Sequence, residues 1–249
     1  MNYPIAIMDY GIGGIGLLSM IKRDYPDIPI IYFSDSGEVP YGKLKFNVLK
    51  ARVDKVVNFL FENGAQHVVA ACHSASSVVA SNRNLTSIRE LTIDSIENSP
   101  NKTIAIIGGG RTIKARFYQK HLKEVSKNVR QRIAQQLSIF VEQGEVHSND
   151  VDRTIRKILK PIKDYDRLLL ACTHYPALRA NLTQVMKADC EIIDPIESVY
   201  DSIKHILLKA DNNGNVKDKY FTSGDTELMK EAAYNAFSYT IKKAKKIEL

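Results

Sequence analysis

Ile104-Ala105-Ile106-Ile107-Gly108-Gly109-Gly110 has the form of Ile5-Ala6-Ile7-Met8-Asp9-Tyr10-Gly11, which runs on into Gly13-Gly14. Both are short apolar runs that end in glycine. Such a run, apolar on both faces, reads as a buried parallel strand feeding a tight turn. Working outward, each is followed at nearly the same distance by a second apolar run that ends in cysteine. These are Val69-Ala70-Ala71-Cys72 and Leu169-Leu170-Ala171-Cys172. Ile5 and Cys72 are 67 residues apart, and Ile104 and Cys172 are 68 apart. The shared spacing predicts two related units.

Strand and helix signals alternate between these landmarks. In the first unit, Ile15 to Ile21 reads as a helix ended near Tyr25-Pro26. Ile28 to Phe33 reads as a strand, and Ser34 to Gly42 as a loop carrying Pro40-Tyr41-Gly42. Lys45 to Asn63 reads as a helix with Val48, Val53, Val56, Val57 and Leu60 on one side, stopped by Gly64. His67 to Ala71 is a strand, and Ser74, Ser76 and Ser77 suit the cap of a following helix. In the second unit, helices are predicted over Ile113 to His121, about Lys127 to Gly144, and Val151 to Lys160, before the strand Arg167 to Ala171. Ser198 to Lys209 and Glu227 to Lys246 close the chain as helices, joined by the loop Asp211 to Asn215. The last helix is expected to return to the first unit. Alternating signals imply parallel sheets covered on both faces. The expected fold class is therefore α/β: two similar domains with parallel-rich sheets flanked by helices, related by a pseudo-twofold. The expected domains are residues 1–98 with 210–249, and residues 99–209.

Composition excludes several classes. In 249 residues, 44% are apolar and 25% charged, ordinary values for a globular protein. Three cysteines are too few, and odd in number, for a disulfide scaffold. No run of 18 apolar residues suggests a membrane helix. Met1-Asn2-Tyr3-Pro4 lacks the pattern of a signal peptide, and with free thiols this points to the cytoplasm. Lys and Arg total 35 against 28 for Asp and Glu, giving +7. The one dense patch is Lys242, Lys243, Lys245 and Lys246, which on a helix would cover a broad, solvated face. With no nucleic-acid-binding motif present, specific nucleic-acid recognition is not expected.

Cys72 and Cys172 each end a predicted parallel strand, and ligands of open α/β sheets sit beyond those ends. If the domains face each other there, the thiols flank an interdomain cleft, which is the expected active site. Two opposed thiols suit three chemistries. They can pair as a disulfide. They can join His73 and His174 around zinc, although these Cys-His spacings are short for a structural site and there is no second tight pair. Or they can move a proton at a carbon, one thiolate removing it from one face and the other thiol returning one to the opposite face, which inverts a stereocentre. Helix N-termini after each cysteine would favour thiolates. Asp9 and His174 are candidate proton managers. Cys190 has no counterpart and is expected to be packing or surface.

These segments resemble the glutamate racemase branch of the aspartate/glutamate racemase family over most of the chain. The matching words are Asp9 with Gly11, Gly13 and Gly14; Tyr32-Phe33-Ser34-Asp35; Val39-Pro40-Tyr41-Gly42; Ala71-Cys72 with Ala75; Thr112; Phe140-Val141-Glu142 with Gly144; Cys172-Thr173-His174-Tyr175-Pro176; and Thr222-Ser223-Gly224-Asp225. The resemblance implies a cofactor-independent racemase without a metal, with Cys72 and Cys172 as the acid/base pair. Asp9 would assist Cys72, and Glu142 and His174 would assist Cys172. Pro40, Tyr41, Gly42, Ser74, Thr112 and Thr173 would hold a small amino acid, expected to be glutamate. The product D-glutamate would supply peptidoglycan synthesis, and a homodimer is expected. The chain departs from the family words at Tyr10, where a small hydroxyl is usual, at His73, where an amide is usual, and at Gly109, where Thr is usual. The Cys-Pro stretch usual before the catalytic Glu is also missing. Tyr10 and His73 would then face the substrate, and aspartate or another amino acid is the alternative substrate. A non-catalytic regulatory protein retaining the fold is the alternative from another class.

Overall fold

The computed structural model describes residues 3–96, 101–126, 128–210 and 216–249. The first unit contains strand β1 (Tyr3–Asp9), helix α1 (Ile15–Asp24), β2 (Ile30–Ser34), α2 (Phe46–Glu62), β3 (Ala65–Ala70), β4 (Leu85–Ser87) and α3 (Ile88–Asp94). The second contains β5 (Thr103–Gly108), α4 (Gly110–Ala115), α5 (Phe117–Leu122), β6 (Asn128–Ile133), α6 (Gln135–Glu142), α7 (Asn149–Leu159), β7 (Arg167–Ala171), α8 (Arg179–Val185) and β8 (Glu191–Ile193). Helix α9 (Pro195–Leu207), β9 (Lys219–Thr222), α10 (Thr226–Phe237) and β10 (Lys245–Lys246) complete the order.

The strands form two parallel sheets. One has the order β10-β9-β2-β1-β3-β4 and the other β6-β5-β7-β8. The block β2-β1-β3-β4 thus matches β6-β5-β7-β8 strand for strand, the pseudo-twofold expected from the repeat. The central strands β1 and β5 are apolar apart from Asp9 at the end of one and Thr103 at the start of the other, because helices cover both faces of a parallel sheet; every residue of β1 is buried. The chain returns to the first sheet at its end, through β9 beside β2 and β10 beside β9.

Several sequence expectations are corrected. The predicted helix from 127 to 144 is a strand and then a helix, β6 and α6; residue 127 lies outside the described residues. Val129 is the buried residue of β6 and pairs with Ile104, so the open side of β5 overrides local helical preference. The helix expected over 113 to 121 starts at Gly110 and is broken at Arg116, which adopts φ +54°. Ser74, Ser76 and Ser77 cap no helix. A single 3₁₀ turn follows Cys72, in which Ser76 Oγ donates to the Ala70 carbonyl at 3.0 Å and Ser77 Oγ to that of Ser74 at 2.7 Å. In α2, Val48 is exposed and Leu49 is buried instead. The last helix stops at Phe237, where Ser238 turns left-handed at φ +53°. Lys245 and Lys246 are therefore strand residues on a sheet edge, and the basic patch is not a helical face. β4, α3, α8, β8 and β9 had no sequence assignment. The expected domain junction between 98 and 99 and the loop 211–215 lie outside the described residues. No described helix is long and apolar enough to cross a membrane.

The loop after β2 is anchored from below by a buried ion pair. Arg52 of α2 grips Asp35 with two bonds, Nη2 to Oδ1 at 2.5 Å and Nε to Oδ2 at 2.8 Å. Asp35 is fully buried and also accepts from the Tyr41 hydroxyl at 2.6 Å. The third Arg52 nitrogen donates to the Leu249 carbonyl at 2.8 Å, tying the end of the chain to the same point. Removing one partner leaves a buried charge uncompensated. Arg52→Ala is therefore expected to lower unfolding free energy by about 3–5 kcal/mol in urea titrations. Lys50→Ala, one exposed ion pair away on the same helix, is expected to cost less than about 1 kcal/mol. Equal losses would contradict this assignment.

Candidate active site

The two sheets turn their carboxyl ends toward each other across one cavity of about 360 Å³. Tyr10, Pro40, Tyr41, Gly42, Cys72, His73 and Ser74 line it from the first domain, and Thr112, Glu142, Cys172, Thr173 and His174 from the second. Asp9 lies behind this wall and reaches it through Thr173, whose hydroxyl donates to Asp9 Oδ2 at 2.7 Å. All the residues singled out in the sequence are thus brought together. Cys72, Cys172 and Cys190 are free thiols. Cys190 is outside the cavity lining.

The seam depends on missing side chains. The turn after β1 approaches the second domain so closely that a methyl group on Gly11 would overlap the Glu142 carboxylate. One on Gly13 would overlap Thr173 Oγ1 and come within 2.7 Å of His174 Nδ1. Glu142, the last residue of α6, accepts from the Ile12 amide at 2.7 Å and bonds His174 Nε2 through the same oxygen. The other ring nitrogen, His174 Nδ1, is 3.6 Å from the Cys172 sulfur. Burial alone would push this imidazole toward neutrality, but the Glu142 carboxylate and then the Cys172 sulfur hold it well above the usual histidine range. Cys172 therefore has a cation and proton store in contact.

Cys72 is surrounded differently. It is buried at the cavity wall, and burial first, then the Asp9 charge, push the thiol well above the usual range. Amide groups of Ala75 and Tyr10 pull the other way and lose. The sequence expectation that a helix N-terminus would favour a Cys72 thiolate is corrected: only a three-residue 3₁₀ turn follows, and desolvation outweighs its amides. After Cys172, too, the immediate element is a 3₁₀ turn, Tyr175–Leu178. Asp9 is itself pushed up by burial, against the His174 cation and the Thr173 hydroxyl.

The remaining walls are polar and aromatic. Tyr10 packs on Tyr41 with ring centroids 5.3 Å apart, and its hydroxyl donates to the Glu38 carbonyl at 3.3 Å. Burial and the Glu142 charge push its phenol up to about 12. Arg111 of α4 bonds the carbonyls of Tyr41 and Leu44, so the second domain grips the loop that carries Pro40-Tyr41-Gly42. Gln135 was missed by the sequence reading. Its Oε1 accepts from the Gly110 amide at 3.2 Å and would sit 3.1 Å from a Cβ on Gly109, so it fills space that a side chain at 109 would take. Ser138, Ile139, Asp225 and Leu228 also line the cavity unannounced. Their place follows from the packing of α10 on α6, which no local motif signals.

Comparison with known proteins gives the family. A family model described as Asp/Glu/Hydantoin racemase matches residues 26–202. A glutamate racemase of Thermoanaerobacter sp. (strain X514) is 31% identical over 236 residues, covering 90% of this chain and 89% of its own. The crystal structure of a glutamate racemase isoform from Bacillus anthracis superposes with a TM-score of 0.86 at 26% identity, covering 98% of this chain and 97% of its own. That of the Francisella tularensis glutamate racemase in complex with D-glutamate gives 0.86 at 18% identity, covering 99% and 98%. By the family match, the extended identity and the shared fold, this chain belongs to the Asp/Glu/Hydantoin racemase family and is an isomerase.

Proposed function

We propose that the protein is a cofactor-independent glutamate racemase that interconverts L- and D-glutamate by two-thiol proton transfer. The observation that carries the reading is that Cys72 and Cys172, one from each sheet, line the same cavity with different proton partners. The names of the relatives supply glutamate as the substrate to test first.

The Cα–H of an amino acid is a very weak acid, so the site must stabilise the developing carbanion as well as supply a base. In one direction, the Cys172 thiolate takes the Cα proton while the Cys72 thiol delivers its proton to the opposite face. The S–H bond of Cys72 breaks as the new Cα–H bond forms, and the chain is left with Cys72 as thiolate and Cys172 as thiol. The reverse direction starts from that state. His174 with Glu142, and Asp9 with Thr173, return the pair to its resting form by exchanging protons with solvent. Ser74, Thr112, Thr173 and the Pro40-Tyr41-Gly42 loop would hold the carboxylates and ammonium, with Tyr10 and His73 closing the wall. In this reading residues 1–98 with 210–249 and residues 99–209 act as the two jaws. D-glutamate made in the cytoplasm would feed peptidoglycan synthesis, with the enzyme working as a homodimer. Tyr10 and His73, both bulkier than the family words, favour testing aspartate beside glutamate.

Chiral chromatography of L- and D-glutamate and of both aspartates, with reduced enzyme, tests the substrate. Inversion of glutamate at the higher kcat/KM supports the reading, and inversion of aspartate alone replaces the substrate. Cys72→Ser and Cys172→Ser are each expected to lower kcat by about 10²–10⁴-fold in both directions; full activity in either would sink the two-thiol mechanism. Gly11→Ala, which displaces Glu142, is expected to cost about a hundredfold in kcat while the fold persists, read by circular dichroism.

The pH profile follows from the raised Cys72 thiol. Because enantiomers have equal free energy, kcat/KM must follow the same pH curve in both directions. Turnover needs one thiol and one thiolate, so the alkaline limb reports loss of the second thiol proton from the pair. That limb is expected above the ordinary thiol range. Burial is the larger cause of the Cys72 shift and the Asp9 charge the next. Asp9→Asn removes the second cause and is expected to move the limb to lower pH. An unmoved limb would contradict this role for Asp9.

A further inference from the structure

Gln135 opens α6 and lines the cavity. The end of its side chain fills a gap left by two glycines on opposite sides of the domain seam. A Cβ on Gly109 would stand 3.1 Å from Gln135 Oε1, and one on Gly42 would stand 3.3 Å from it. Both glycines line the cavity as well, Gly42 from the first domain and Gly109 from the second. The carboxamide is therefore part of the wall where the Pro40-Tyr41-Gly42 loop meets the turn after β5.

Its orientation follows from what its neighbours can do. The Gly110 amide opens α4, where the helix itself offers no acceptor, and it can only donate. The atom it meets at 3.2 Å is thus the amide oxygen, Oε1. A flipped carboxamide would set an NH₂ group against this N–H. In the orientation found, Nε2 is 2.9 Å from Ser138 Oγ. The Ser138 hydroxyl has one proton and gives it to the Gln135 carbonyl at 2.8 Å, so it accepts from Nε2. An amide nitrogen carries two hydrogens. Ser138 takes one, and no described residue takes the other. Gln135 is only half-buried, at a wall that faces the cavity.

We infer that Gln135 is a substrate-binding residue, and that its second Nε2–H donates to a carboxylate of the substrate. The inference rests on the racemase reading of the cavity. A dicarboxylic amino acid brings two carboxylates and one ammonium. The ammonium has no acceptor to offer this N–H, whereas each carboxylate has. Of the charged side chains in the wall, Glu142 and Asp225 are themselves acids, His174 is held by Glu142, and Lys43 is exposed. Neutral donors are therefore needed for the substrate's negative charge, and this amide is one that no described residue uses up.

The two ends of the carboxamide can be tested apart. Gln135→Glu keeps the length and leaves an oxygen for the Gly110 amide, and the Ser138 hydroxyl can turn to donate to the other oxygen. It replaces the free N–H with a negative charge. Gln135→Met keeps the length and removes both the acceptor and the donors. KM for glutamate is expected to rise about tenfold in Gln135→Met and about a hundredfold in Gln135→Glu, with kcat within about threefold. A purely structural Gln135 gives the opposite order, since Glu preserves the Gly110 bond and Met does not. A wild-type KM in Gln135→Glu would therefore overturn the inference. Circular dichroism checks that each variant folds, and the Glu variant decides alone if the Met variant does not. Calorimetric titration with glutamate, which needs no turnover, is expected to give the same order in Kd. Wild-type protein that binds neither glutamate nor aspartate would overturn this inference together with the racemase reading. Wild-type racemisation with an unchanged KM in Gln135→Glu would overturn it alone.

Discussion

The hydrogen bond between Glu142 and His174, seated on a turn without side chains at Gly11 and Gly13, is the constraint on which the site depends. It lies where the two domains meet. One carboxylate oxygen holds both the Ile12 amide of the first domain and the imidazole of the second. The same imidazole then reaches the Cys172 sulfur. Closure of the cleft and supply of a proton partner to one thiol are therefore a single arrangement. The glycines contribute by close approach, since any Cβ there would occupy the space of the Glu142 carboxylate, the Thr173 hydroxyl or the His174 imidazole.

A pseudo-symmetric fold holds an unsymmetric site. The central four strands of each sheet share one order, and a cysteine follows the third strand of the chain in each. Their surroundings differ in sign. Cys72 is buried with a carboxylate behind it, which favours the neutral thiol; Cys172 is half-buried against a cationic imidazole. In the proposed two-thiol reaction one sulfur must accept as the other donates, and these unequal surroundings suit that division without favouring either enantiomer at equilibrium.

The strands that build the cleft were legible because buried parallel strands are continuous apolar runs, and because the two runs ending in Cys72 and Cys172 repeat at matched distances. Asp9, Cys72, Cys172 and His174 lie at or just beyond strand ends, where chain position and spatial position coincide; Glu142 alone of the catalytic candidates ends a helix. What was illegible is non-local. Asn128 to Ile133 has one buried side chain, Val129, and becomes a strand only because β5 offers an open side. Lys245 and Lys246 continue no helix, because Ser238 turns left-handed and the Ile247 amide bonds the Thr222 carbonyl. Gln135 enters the site, and Tyr118 reaches His73 behind its wall, from elements whose local sequence carries no motif. The burial that raises Cys72 is likewise a property of the assembled core, whereas a helix N-terminus was read from neighbours in sequence.

The central claim is that the two thiols act on opposite faces of one carbon. Early turnover of each glutamate enantiomer in D₂O, with deuterium at Cα measured separately in product and in recovered substrate, tests it most directly. The account predicts that the inverted product carries solvent deuterium while recovered substrate remains protiated, in both directions. Deuterium appearing equally in substrate and product, or inverted product that retains the original proton, would mean that one base serves both faces and would contradict it.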